Sequence, residues 1–193
     1  TRGYITFQGF TIESCDGVAV ILRNARACGV LGCTVRNTGH AGVSVRGGAA
    51  CRVSNCDIYE TGHDGIRLLG GRRFTRNGQY YPCGHEATNN YVHHMGVFFK
   101  QVAGISLEGV GIRVAHNLIH DGPRWGITSR GNDHLIEYNY IRHVSIETSD
   151  SAAIYLCHRD WSMRGTVIRY NHIHDILGFH RVDGKWRSPH FAA

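Results

Sequence analysis

Apolar positions along this chain come in short alternating runs: Val43-Ser44-Val45, Ile66-Arg67-Leu68, Ile105-Ser106-Leu107 and Val167-Ile168-Arg169-Tyr170. Alternation with period two predicts strands with one buried face. Helices would need ten or more residues of apolar spacing at 3.6. Here 25 glycines interrupt every such window, and glycine is a poor helix former. The runs are separated by polar turns rich in Asn, Asp and Gly, which tolerate left-handed backbone.

One phrase returns along the chain with its chemistry intact. Asn90-Tyr91-Val92-His93 reappears as Asn117-Leu118-Ile119-His120, Asn139-Tyr140-Ile141-Arg142 and Asn171-His172-Ile173-His174. Upstream the same slot reads Phe10-Thr11-Ile12-Glu13, Cys33-Thr34-Val35-Arg36 and Cys56-Asp57-Ile58-Tyr59. The steps between first residues are 23, 23, 34, 27, 22 and 32, a unit of about 22 to 23 residues with insertions. Such units bury their apolar side chains only by stacking on their neighbours. The leucine-rich frame Leu-x-x-Leu-x-Leu is absent. The pattern therefore predicts an all-β fold, a right-handed parallel β-helix of about seven coils forming one domain over 1–193. Asn90, Asn117, Asn139 and Asn171 should stack as a hydrogen-bonded ladder, with Ile119, Ile141 and Ile173 facing inward nearby. No terminal unit reads as a cap, so the chain is expected to be an internal piece of a longer solenoid.

Charge and cysteines narrow the picture. The formal charge is +6 with 14 histidines besides, which suits an anionic polymer. The arginines are scattered and no groove-reading helix or RNA-binding strand motif occurs, so a nucleic-acid partner is not expected. No membrane-spanning run or leader is present, and a secreted or periplasmic location is expected from the class of protein rather than from a signal. Of seven cysteines, Cys28 and Cys51 are 23 residues apart, as are Cys33 and Cys56. Each pair should stack on adjacent coils as core thiols. The two C-x4-C pairs could also hold zinc, but a bound metal or other cofactor is not expected.

Insertions between strands of a solenoid usually gather into a working face. Those at 70–86, 96–103, 145–151 and 157–164, with a further one after Asp175, bring aromatic, cationic and acidic side chains. Such a mixture suits a polysaccharide or oligosaccharide. Glycoside hydrolysis needs two carboxyl groups, and Glu147 and Asp150 sit in a tight bend before the strand at Ile154-Tyr155. They are the candidate catalytic pair, with Asp150 at the floor of a cleft; Asp150 could equally serve as a turn cap. Substrate contacts are expected from His63, Asp64, His85, Lys100, Glu108 and Asp121. Arg124, Trp125, Tyr155, His158, Arg159, Asp160 and Trp161 complete that set.

The stretch Gly109-Val110-Gly111-Ile112-Arg113-Val114-Ala115-His116-Asn117 through Gly131-Asn132-Asp133-His134-Leu135-Ile136-Glu137 extends the likeness to a known group. With Glu147-Thr148-Ser149-Asp150-Ser151-Ala152-Ala153-Ile154-Tyr155 and Arg159-Asp160-Trp161, it resembles bacterial right-handed β-helix proteins of the pectate-lyase-like superfamily. Within these the chain is most similar to glycoside hydrolase family 141. The resemblance implies a monomeric carbohydrate-active hydrolase, a fucoside or xylan linkage as target, and Asp150 as one catalytic acid. It places the acidic partner on the next coil, past Ala193, so the piece alone would be inactive and Glu147 a substitute for that partner. Two other functions stay open. A lyase on acidic glycan would draw on Lys100, Arg124, Arg130 or the histidines for base and charge neutralisation. A non-catalytic glycan-binding solenoid would use the same cleft.

Overall fold

The computed structural model describes residues 3–71, 81–157, 160–178, 180–182 and 185–187. Among them no helix occurs. Three parallel sheets run along a solenoid, and each coil visits them in turn. The first sheet has seven strands: Thr6–Gln8, Gly29–Leu31, Arg52–Ser54, Glu86–Thr88, Arg113–Ala115, Leu135–Glu137 and Val167–Arg169. The second also has seven: Thr11–Cys15, Thr34–Thr38, Asp57–Thr61, Tyr91–His93, Leu118–Gly122, Tyr140–Val144 and His172–His174. The third has six: Val20–Arg26, Val43–Ala49, Ile66–Gly70, Ala103–Val110, Trp125–Asn132 and Ile154–Leu156. This is the parallel β-helix that the repeat predicted. After the last coil, His180–Val182 and Lys185–Arg187 pair antiparallel, an element the repeat gave no sign of.

The core consists of in-register columns. Val30, Val53, Ala87, Val114 and Ile136 stack in the first sheet, and Val35, Ile58, Val92, Ile119 and Ile141 in the second. All ten are fully buried. A fully buried aliphatic side chain contributes about 1.5–3 kcal/mol relative to exposure, so each coil is worth forming only against its neighbours. Ile173 continues the column as predicted, pairing with Ile141, but is 41% exposed.

Where the first sheet turns into the second, asparagines form the expected ladder. Asn117 Oδ1 accepts the backbone N–H of Asn90 at 3.0 Å and its side-chain amide at 2.9 Å, while Asn117 Nδ2 donates to Ala87 O at 3.0 Å. Asn139 and Asn171 repeat the pattern on the next two coils. These buried amides thus close backbone groups that the corner leaves without strand partners. Cys33 and Cys56 occupy the same column earlier in the chain, flanked by the paired strands 29–31 and 52–54. Cys28 and Cys51 begin that strand pair in a parallel column. Cys28, Cys33, Cys51, Cys56 and Cys83 are buried thiols outside any disulfide.

A glycine column shapes the third sheet. Gly70, Gly109 and Gly131 are register partners, and Gly109 and Gly131 have φ of 124° and 130°. A Cβ on Gly109 would lie 1.7 Å from Gly70 O, and one on Gly131 1.9 Å from Gly109 O. Backbone therefore stacks directly on backbone there, at the end of the strands that carry the candidate site.

Candidate functional site

Strand alternation turns Ile66, Leu68, Ile105, Leu107, Ile127 and Ser129 of the third sheet inward, all buried. Their neighbours face out in two cross-strand rows. One runs Ser44, Arg67, Ser106, Thr128, Tyr155. The other runs Arg23, Arg46, Leu69, Glu108, Arg130. The later members of both rows, Arg67 and Tyr155 of the first and Leu69, Glu108 and Arg130 of the second among them, line a groove of about 210 Å³ together with Trp125. A second depression continues it over Gly70 and Gly71, again bounded by Leu69, Glu108 and Arg130.

Each side chain in the groove has an identifiable support. Trp125 and Tyr155 face each other at 5.4 Å between ring centres, and the Arg124 guanidinium lies 4.4 Å from the Trp125 ring centre. Arg124, itself buried, donates from Nη2 to Asp150 O at 2.8 Å and approaches Asp150 Oδ2 at 3.4 Å. Arg67 Nε is 3.2 Å from Asp64 Oδ2. Arg130 Nη2 is 3.5 Å from Cys157 Sγ. That bond is the main cause, with Glu108 a weaker one, that pushes the Arg130 guanidinium further above its already high range. Arg130 is thus a fixed cation rather than a proton acceptor. Glu108, exposed on the floor between Arg67 and Arg130, is the carboxylate that lines this groove.

The predicted residues divide accordingly. Glu108, Trp125 and Tyr155 line the groove, and Arg124 supports its edge. Asp150 is not at the floor. It sits on the margin at φ 51° with its side chain 64% exposed, because the tight bend before Ile154 turns it outward. Glu147 and Lys100 form an exposed ion pair at 3.0 Å on the same margin. Of the insertions expected to form one working face, 96–103 and 145–151 join the second sheet to the third, whereas 70–86 and 157–164 join the third to the first and lie partly outside the described residues.

His85 cannot contact substrate. It is fully buried, its Nδ1 accepts the Cys51 N–H at 3.2 Å, and burial pushes its pKa down. Asp64 is likewise structural: 3% exposed, it accepts the Ala103 N–H at 2.7 Å and faces His63 and Arg67. His63 is stacked on His40 at 4.4 Å and packs on Phe99 at 5.3 Å. Asp160 accepts the Ser162 N–H at 2.8 Å within a turn, and Trp161 is 94% exposed. His158 and Arg159 lie outside the described residues, as does most of the insertion at 70–86.

Two groups escaped the sequence reading. Arg67 was visible only as a polar position in a strand, although alternation alone would have aimed it outward. On the second sheet, Tyr59, His93 and His120 stack in register, at 4.9 and 5.3 Å between ring centres. Asp121 adjoins them, bonded to His120 Nδ1 at 2.6 Å and to His143. Burial pushes Asp121 up, but the hydrogen bonds from His143 and His120 prevail and hold it below its usual range. Among the described residues no three His, Cys, Asp or Glu side chains are grouped so as to hold a metal ion.

These features define a class, and the comparisons agree. The chain belongs to the family described as right-handed beta helix region, which matches residues 1–77 and 51–184. Among solved structures it is similar to a glycoside hydrolase, at 15% identity and TM-score 0.58, over 83% of this chain and 31% of that one. It is also similar to the pectate lyase Pel9A, at 13% identity and TM-score 0.57, over 88% of this chain and 48% of that one. The chain therefore spans less than half the length of either neighbour, and the likeness is one of fold. No curated protein matches the chain by sequence.

Proposed function

We propose that this β-helix acts on polysaccharide, and that the groove on the third sheet binds and cleaves an acidic glycan by elimination. The observation that carries the reading is Glu108 on the groove floor, with its register partner Arg130 on one side and Arg67 in the adjacent row on the other. Elimination from a uronate takes the proton from the carbon beside the carboxylate, forms a double bond to the adjacent ring carbon and breaks that carbon's bond to the glycosidic oxygen. The oxygen leaves with a proton from water or the protonated base. The step needs one base and cations to stabilise the charge that develops on the carboxylate. Arg67 and Arg130 are suited to pair with the carboxylates, Glu108 to take the proton, and Trp125 with Tyr155 to stack a sugar ring. The likeness in fold to a pectate lyase fits this reading.

A second reading is glycoside hydrolysis with Asp150 and Glu147 as the carboxyl pair. It is favoured by the contact of Asp150 with Arg124, whose guanidinium covers the Trp125 ring at the groove's edge, and by the fold likeness to a glycoside hydrolase. The sequence likeness to family 141 points the same way. The products separate the two. Elimination leaves unsaturated ends that absorb in the ultraviolet, whereas hydrolysis yields reducing ends without that absorbance. For elimination, Glu108→Gln lowers the rate about 100-fold or more, and Asp150→Asn leaves it near that of the parent. Loss of cleavage in Asp150→Asn, with reducing ends as the only product, would replace the first reading by the second. Binding without either product would leave a glycan-binding solenoid.

A further inference from the structure

Where the second sheet hands over to the third, successive coils carry a residue in left-handed backbone: Ser14, Asn37, Glu60, His94, Asp121, His143 and Asp175, with φ from 47° to 58°. Glycine or asparagine takes such a corner most easily, and bulkier residues cost on the order of 1 kcal/mol or more. Glu60, His94, Asp121 and His143 occupy it on four consecutive coils. All four, with Glu147, line one groove of about 400 Å³ whose remaining walls are Met95, Val97, Pro123 and Ile146.

The hydrogen bonds fix the protons in this groove. Ionised Asp121 can only accept, and it binds Nδ1 of both His120 and His143. Both rings therefore carry hydrogen on Nδ1, and when neutral each leaves a lone pair on Nε2. His120 uses its lone pair to accept the Tyr91 hydroxyl at 2.9 Å. His143 Nε2 has no hydrogen-bond partner among the described residues, and the side chain is 45% exposed. The groove's three carboxylates, Glu60, Asp121 and Glu147, are opposed by the Lys100 ammonium on Glu147. Its charge is thus opposite in sign to that of the arginine-lined groove.

We propose that this corner groove is a second saccharide site, taking an uncharged sugar unit. Carboxylates accept hydrogen bonds from sugar hydroxyls, the His143 lone pair accepts another, and the apolar wall meets the C–H face of the ring. A uronate would meet like charge here. The proposal stands independently of the reaction assigned to the third sheet.

The test is an NMR titration of the histidine ring signals of the whole chain with neutral hexasaccharides derived from xylan, cellulose, mannan and galactan, beside a hexagalacturonate. At least one neutral hexasaccharide is expected to shift the His143 and His94 rings saturably. Glu60→Gln and His143→Asn, which keeps a residue suited to left-handed backbone, should each weaken that binding about fivefold or more. Arg130→Gln should leave it unchanged. If His143→Asn fails to fold, Glu147→Gln, in an exposed ion pair, takes its place. No shift with any neutral hexasaccharide at millimolar concentration would overturn the proposal. So would a response to hexagalacturonate alone, or unchanged binding in the variants.

Discussion

Replacing Asn117 by alanine probes the ladder where it is most enclosed. Asn117 is 1% exposed and makes four side-chain hydrogen bonds to three residues on the flanking coils, Asn90, Ala87 and Asn139. Two of the losses are offset, since Asn90 Nδ2 keeps Val53 O and Asn139 Oδ1 keeps the Asn117 N–H. Ala87 O keeps its ladder bond to the strand at Arg113–Ala115, so the Asn90 N–H is the group left without a partner inside the solenoid. A buried polar group stripped of its partner costs about 1–3 kcal/mol, so the substitution should destabilise by about that amount. That is a large share of the 5–15 kcal/mol typical of a folded domain. Urea unfolding followed by far-ultraviolet circular dichroism measures it, with Asn171→Ala as the comparison. Asn171 is partly exposed, so water can satisfy the groups it leaves and the loss should be smaller. A loss below about 1 kcal/mol for Asn117→Ala, or equal losses at the two sites, would refute the ladder as a source of stability.

Ile119→Ala, in the middle of a fully buried column, should cost about 2–5 kcal/mol in the same assay. Gly109→Ala should be at least as damaging, since its Cβ would collide with Gly70 backbone, and urea midpoints will rank the two. Burial holds the pKa of His93 and His120 below 6.5 in the folded chain. The unfolded chain therefore binds more protons in mild acid, so stability is complete above pH 6.5 and falls as pH drops through that value towards the folded pKa. His120→Gln should flatten that slope in melts between pH 5 and 8. The Cys56 thiol is pushed up to about 11 by burial, so mass mapping after brief alkylation near neutral pH should find Cys15 and Cys157, the two partly exposed cysteines, labelled well before Cys56.

The fold was legible because a parallel solenoid repeats its register. Asn90, Asn117, Asn139 and Asn171 mark the same corner on four coils, and their spacing survives insertions that only lengthen loops. The site was less legible, because it is built across coils. Arg67, Glu108 and Arg130 are 41 and 22 residues apart in sequence yet adjacent in the sheet, and nothing local marks them as a set. Asp150 looked like an active-site acid from its small-residue bend, but that bend turns it to the margin. His85 ends the insertion at 70–86, which suggested a substrate contact, whereas its place in the Cys28–Cys51 column takes it inside. The histidines of the second sheet belong to the same repeated phrase as the asparagines, and only strand alternation, which faces them outward, separates their place from the ladder's.

The central claim is that the arginine rows of the third sheet select an acidic glycan, and calorimetric binding of hexagalacturonate beside its fully methyl-esterified form tests it most directly. The acidic form should bind the parent chain more tightly. Arg67→Gln and Arg130→Gln should each weaken it about 10- to 100-fold, the worth of a charge-assisted bond, without affecting the ester. Equal binding of the two forms, or unchanged affinity for the acidic one in both variants, would contradict the account.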